Sequence, residues 1–139
     1  MKIKNEDVKN GCEFGIGGPN DAFAKYFIGQ SYLKMLVTEE GYVPVGYVTF
    51  EPGCRNNWHK HPGGQILLCI GGEGWYQEWE KEARSLKAGD VVVIPKNAKH
   101  WHGAKKNSWF SHISIENDVT AGKNEWLEEV SDEEYNKLK

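Results

Sequence analysis

The stretch from residue 53 to residue 72, GCRNNWHKHPGGQILLCIGG, carries an H-x-H pair, a turn and an apolar run in immediate succession. Side chains two apart on a strand point to the same face, so His59 and His61 reach one point together. Pro62-Gly63-Gly64 reads as a tight turn, which lets Gln65 open the next strand and fold back beside the pair. A second stretch, GDVVVIPKNAKHWHGA over residues 89 to 104, has the same form. An apolar strand runs into the turn Pro95-Lys96-Asn97 and then into His100 and His102. His112 follows on a further apolar segment. All five histidines of the chain fall between residues 59 and 112. One histidine alone is most simply a core or surface residue, but two H-x-H pairs and a neighbouring fifth are not readily explained that way. Inside a small barrel such inward groups converge on a cavity, where neutral imidazoles and an amide oxygen suit a borderline divalent metal.

Around these stretches the chain alternates short apolar segments with turns. Strands are expected at Tyr32 to Thr38, Val43 to Phe50, Asn57 to His61, Gln65 to Ile70, Gly74 to Trp79, Asp90 to Ile94 and Trp109 to Glu116. Glu51-Pro52-Gly53, Gly71-Gly72 and Ala88-Gly89-Asp90 are among the breaks. No long helical stripe intervenes, so the fold class is all-β, a small antiparallel barrel or sandwich. One domain is expected over residues 1 to 139, with its core at about 30 to 120. The glycine-rich run at residues 15 to 19 lacks the preceding strand and following Lys-Ser/Thr of a phosphate loop and reads as a plain loop. Within a C-terminal segment of residues 125 to 138, residues 126 to 130 read as a last strand or an extended strap, and Ser131 to Leu138 as a short helix, because Ser131 and Glu134 form a capping box.

Composition narrows the function. Seventeen basic and twenty acidic side chains leave a net charge of -3, with no cluster of Lys and Arg to neutralise phosphates, so no nucleic-acid partner is expected. The apolar run Ile66 to Ile70 is too short to span a bilayer, so no membrane partner is expected either. The first twelve residues lack a signal-peptide core, which makes a cytoplasmic location the expectation. Cys12, Cys54 and Cys69 are odd in number and widely spaced, as free thiols are.

The two stretches resemble the paired motifs of the cupin superfamily. In the first motif Gly53, His59, His61 and Gly72 match at the family spacing, and Gln65 stands where Glu is usual. In the second, Gly89, Pro95 and His100 match; Asn97 replaces a Gly, and Ala104 replaces an Asn. Asn tolerates the left-handed turn that Gly serves, so that exchange is mild. The resemblance implies a single-domain cupin barrel, or jelly roll, with one divalent ion on His59, His61, Gln65 and His100. A narrower resemblance covers most of residues 45 to 136. Thr49 to Gly53, Gly63 to Gln65, His100 to Ala104, Ser111 to Ile115 and Glu125 to Leu127 are similar to the bacterial manganese-dependent hydroxynitrile lyase cupins, also described as (R)-mandelonitrile-lyase-like. It implies manganese as the first candidate ion, with iron, nickel, zinc or cobalt as the others. It also implies a homodimer, and His102 and His112 in the pocket as the groups that move a proton.

Gln65 changes the expected chemistry. Three imidazoles and an amide leave an ion its full charge, which favours Lewis-acid stabilisation of a developing alkoxide. Non-ligating imidazoles beside it accept or deliver a proton. Strand alternation places Phe110 on the His112 face, as a pocket residue, and turns Trp58 and Trp101 away. The expected function is a metal-dependent lyase on a small hydroxylated, cyanohydrin-like or aromatic substrate. An iron-dependent dioxygenase and a non-catalytic metal-bearing binding module are the alternatives.

Overall fold

The computed structural model describes residues 14–139. Cys12 and the N-terminal run lacking a signal-peptide core lie outside the described residues. The strands are β1 (Gly18–Pro19), β2 (Phe27–Ile28), β3 (Ser31–Val37), β4 (Val45–Phe50), β5 (Arg55–Asn56), β6 (His59–Lys60), β7 (Gln65–Glu78), β8 (Arg84–Lys87), β9 (Val91–Ile94), β10 (His100–Ala104), β11 (Phe110–Glu116) and β12 (Glu125–Trp126). A helix, α1 (Asp132–Asn136), closes the chain, and Asp21–Tyr26 and Val119–Ala121 form 3-10 turns. All strand pairings are antiparallel. The order is β1-β3-β4-β11-β7-β10-β5-β2, with β8 and β9 on β7 and β6 between β10 and β12. The result is a curled antiparallel half-barrel with few helices, the all-β class expected.

β7 departs from expectation. Two strands broken at Gly71-Gly72 were expected, and one strand of 14 residues is found. Its first half pairs with β9 and β11, and its second half with β8 and β10. At the bend Gly72 has φ +70°, and a Cβ there would lie 1.6 Å from the Trp109 carbonyl oxygen. The register with β11 slips between Ser111 and His112. The glycines therefore bend the strand around the barrel instead of ending it.

The expected strand Asn57 to His61 is reduced to β6, and β5 lies just before it. The intervening amides bond elsewhere: Asn57 N–H donates to the Tyr26 carbonyl at 2.8 Å and Trp58 N–H to the Glu128 carbonyl at 2.9 Å. β8 and β10 were not among the expected strands. β8 has one apolar residue, Leu86, and β10 is mostly His, Gly and Ala, so neither shows an apolar signal. Gly18–Pro19, read as plain loop, bridges to β3.

Inward alternation builds the main core. Leu67 and Cys69 of β7, Val92 and Ile94 of β9, Phe50 and Phe110 are buried together. A second cluster of Trp58, Trp75, Trp101, Val130 and Tyr135 lies under α1. Trp58 and Trp101 thus pack away from the histidines. Ser131 caps α1, its hydroxyl accepting from Glu134 N–H at 3.1 Å and facing the Glu134 carboxylate. Arg55, buried on β5, fastens this end to the barrel: Nε and Nη2 donate to the Val130 carbonyl and Nη2 to Asp132 Oδ1 at 2.7 Å. The guanidinium also lies 4.3 Å from the Tyr135 ring centroid. Among the described residues, no helix is long and apolar enough to cross a membrane.

Candidate metal centre

His59 on β6 stands directly opposite His100 on β10. The His61 carbonyl accepts both Gly64 N–H at 2.9 Å and Asn97 N–H at 3.0 Å. One oxygen thereby closes the turn that returns the chain to Gln65 and ties it to the turn that delivers His100. Asn97 is in the left-handed region, φ 61°, as its exchange for Gly requires. His59, His61 and His100 are buried, and each offers a ring nitrogen within 4.8 Å of the others.

The tautomers of two rings follow from their partners. His59 Nδ1 lies 2.8 Å from the Asn57 carbonyl, and His100 Nδ1 lies 2.8 Å from the Ala98 carbonyl. A carbonyl only accepts, so both rings donate from Nδ1 and keep Nε2 as the lone-pair nitrogen. Desolvation by burial, with the neighbouring imidazoles, holds His59 well below the ordinary value, and burial brings His100 down to about 4. Both are neutral donors at neutral pH, the form a metal takes.

The donor atoms are left over by the protein itself. His61 Nε2, His100 Nε2 and Gln65 Oε1 are buried with no hydrogen-bond partner among the described residues. Buried polar atoms without partners are costly, and the histidine cluster is one that could hold a metal ion. Imidazole and amide donors with no thiolate suit a borderline divalent ion, so the residues present fit the expected group. Gln65 Nε2 donates to Ser114 Oγ and to Glu116 Oε1, both at 3.1 Å, so Oε1 points the other way. Glu116 Oε2 also lies 3.2 Å from His61 Nδ1, within ion-pair distance but not aligned for a hydrogen bond.

His102 and His112 form a second layer. His112 Nε2 is 3.2 Å from His102 Nδ1, so one ring N–H donates to the other ring. Asn56 Oδ1 accepts the His102 backbone N–H at 3.0 Å, which turns Nδ2 toward the imidazole, 3.3 Å from each ring nitrogen. That amide is a donor, so it keeps a His102 nitrogen in its lone-pair form. Burial, reinforced by His112 and the three ligand-set imidazoles, holds His102 well below the ordinary range, and burial brings His112 to about 3.

These groups border a cavity of about 430 Å³ lined by His59, His61, Gln65, His102 and His112. The rest of its wall is largely apolar, including Phe23, Phe27, Leu33, Val48, Phe50 and Trp126. Phe110 is not in the lining. It is fully buried beneath His112, ring centroids 5.7 Å apart, and Phe50, which packs on it at 5.9 Å, borders the cavity in its place. Alternation puts Phe110 on the correct face but does not set its depth.

Four groups escaped the sequence reading: Asn56, Ser114, Glu116 and Trp126. Ser114 and Glu116 continue the His112 alternation along β11, a signal that was present. Trp126 stacks between His59, at 4.6 Å, and Tyr26, at 4.5 Å, through a pairing no local pattern announces. The free thiols Cys54 and Cys69 are buried away from the donor set, their pKa values raised by burial to about 12 and about 11.

Comparison with known proteins agrees with this architecture. The model of the cupin domain matches residues 46–115. An (R)-mandelonitrile lyase of Granulicella tundricola is 41% identical over 88 residues, 63% of this chain and 67% of that one. The crystal structure of a cupin-like protein from Thermotoga maritima superposes with a TM-score of 0.85 at 48% identity, covering 90% of this chain and 95% of that one. A DMSP lyase, DddQ, from Ruegeria pomeroyi shares the fold with a TM-score of 0.59 at 18% identity, over 88% of this chain and 58% of that one. On the matched motifs, the curled sheet and these relatives, the chain belongs to the cupin family.

Proposed function

We propose that this protein is a metal-dependent lyase that cleaves a small cyanohydrin-like substrate, with manganese on His59, His61, Gln65 and His100. One observation carries the reading: His59, His61 and Gln65 of the donor set line the same largely apolar cavity as the His102–His112 pair, and His100 clusters with His59 and His61. The likeness to an (R)-mandelonitrile lyase supports the choice of substrate class.

A bound divalent ion supplies Lewis acidity at the polar end of the cavity. The protein's own groups do the remainder. The apolar wall holds the aromatic or alkyl part of the substrate and excludes water. His102, neutral in its buried pair with His112, accepts the substrate hydroxyl proton. As that proton leaves, the alcohol carbon becomes a carbonyl, and the carbon–carbon bond breaks with its electron pair on cyanide. The proton then returns from the His102–His112 pair to cyanide, so the products are an aldehyde and hydrogen cyanide and both imidazoles end neutral. The paired rings share the transient charge, which a single buried imidazole bears less well.

Benzaldehyde release from (R)-mandelonitrile tests the reading on protein stripped of metal and reloaded with manganese. The expected result is release that requires the ion and is enantioselective. Manganese-replete protein that binds the nitrile without releasing aldehyde points instead to a binding module.

A further inference from the structure

We propose that Glu116 is the carboxylate of this metal site, acting through Gln65 and His61 without itself being a ligand. The inference rests on the metal reading above and goes beyond it, since it concerns a residue outside the ligand set.

Gln65 stands where a carboxylate ligand is usual, so the ligand set carries no negative charge of its own. The register of β11 on β7 puts Glu116 directly opposite Gln65. Its two oxygens divide between two members of the set. Oε1 accepts from Gln65 Nε2 at 3.1 Å, and Oε2 lies 3.2 Å from His61 Nδ1. The Glu116 side chain is 23% exposed and the His61 side chain 5%, so the charge acts partly inside the protein, where screening is reduced.

The chemistry of the partner matters. An amide has two ends, and only its oxygen is of use to a cation. The other neighbour of the Gln65 amide, Ser114 Oγ at 3.1 Å, both donates and accepts and therefore tolerates either orientation. A carboxylate only accepts. Glu116 thus compels the NH2 end toward itself and leaves Gln65 Oε1 buried and unpartnered. Glu116 is a positioning residue: it fixes the amide and returns, from one layer out, the charge that Gln65 lacks.

The test is calorimetric titration of metal-free protein with manganese, beside the manganese EPR spectrum. Glu116→Leu removes both effects and should weaken binding about 10- to 100-fold, the scale of losing an outer partner. Glu116→Gln keeps the shape but loses the charge and the fixed orientation, and should weaken it about 10-fold on the same grounds. Ser114→Ala should change affinity little. A further variant moves the carboxylate inward: Gln65→Glu with Glu116→Gln should bind manganese at least as tightly as wild type. Thermal unfolding of the metal-free variants checks that each is folded, and the near-isosteric Glu116→Gln keeps the test open should Glu116→Leu fail to fold. Wild-type affinity in Glu116→Gln, or a double variant as weak as Glu116→Gln alone, overturns the proposal. Wild-type protein that binds no manganese overturns the metal reading itself.

Discussion

His102 lies two residues beyond His100 on the same strand face and meets His112 instead of joining the three-histidine cluster. His102→Ala should therefore keep metal and fold while slowing turnover by roughly a hundredfold or more, the usual scale for losing acid–base catalysis. If His102 serves only as a prop, the same change weakens metal binding and added metal restores the rate. The pH profile is a second check. The residue type alone suggests a rate that rises across the neutral range. Burial changes that expectation, because it holds His102 well below the ordinary 6.5 and His112 at about 3. A nearby cation lowers both further. The value of kcat/KM should thus be level across the neutral range, with no imidazole inflection there. An inflection near 6.5 that vanishes in His102→Ala would contradict this. At this scale the histidines were legible because period-two alternation needs only local sequence. Glu116 obeyed the same alternation, but a strand carboxylate ordinarily faces solvent, so nothing marked it. Phe110 shows the complementary limit: alternation gives the face and not the depth.

Among the elements, β7 carries the barrel from one half to the other, and its bend depends on Gly72. Gly72→Ala places a Cβ against the Trp109 carbonyl in a left-handed conformation. It should cost more than the roughly 1–3 kcal/mol of such strain alone, measured by urea unfolding. Unchanged stability would mean that the bend does not need glycine. Paired glycines end strands as often as they bend them, and the difference lies in whether a neighbour continues across. Here β11 pairs through Gly71 and Gly72 and β10 takes over from Gly74, and no local pattern states it. The same reasoning explains β10, whose pairing is long-range and whose residues carry no apolar alternation. The C-terminal strap was legible, because a capping box is local. Its anchor was not: Arg55 reaches Val130 and Asp132 across the fold. Arg55→Leu should cost about 1–3 kcal/mol, because it strips the Val130 carbonyl of its donors. A loss confined to the strap, read by hydrogen exchange over residues 125–138, would place the effect at the anchor; no loss would deny the anchor its role.

Across the whole molecule, the site is a store of instability until it is filled. His59, His100, His102 and His112 are buried with pKa values below their unfolded value. In acid the unfolded chain binds protons that the folded chain refuses, so stability falls as pH falls. It is full above about 6.5, the unfolded value, and is lost progressively toward about 4 for His100 and about 3 for His112. Each imidazole contributes at most about 1.4 kcal/mol per pH unit in that window. Chelated protein should therefore melt at distinctly lower temperature at pH 5 than at pH 7.5; equal melting temperatures would contradict burial of neutral imidazoles. At pH 7.5, manganese that binds only the folded chain should raise the melting temperature. The site's existence is decided by the manganese stoichiometry of the purified, metal-stripped chain under titration. One ion per chain in wild type, lost in His61→Ala with the fold retained, is the expected result. Wild-type protein that takes up no ion, or a His61→Ala protein that binds as tightly as wild type, would contradict it.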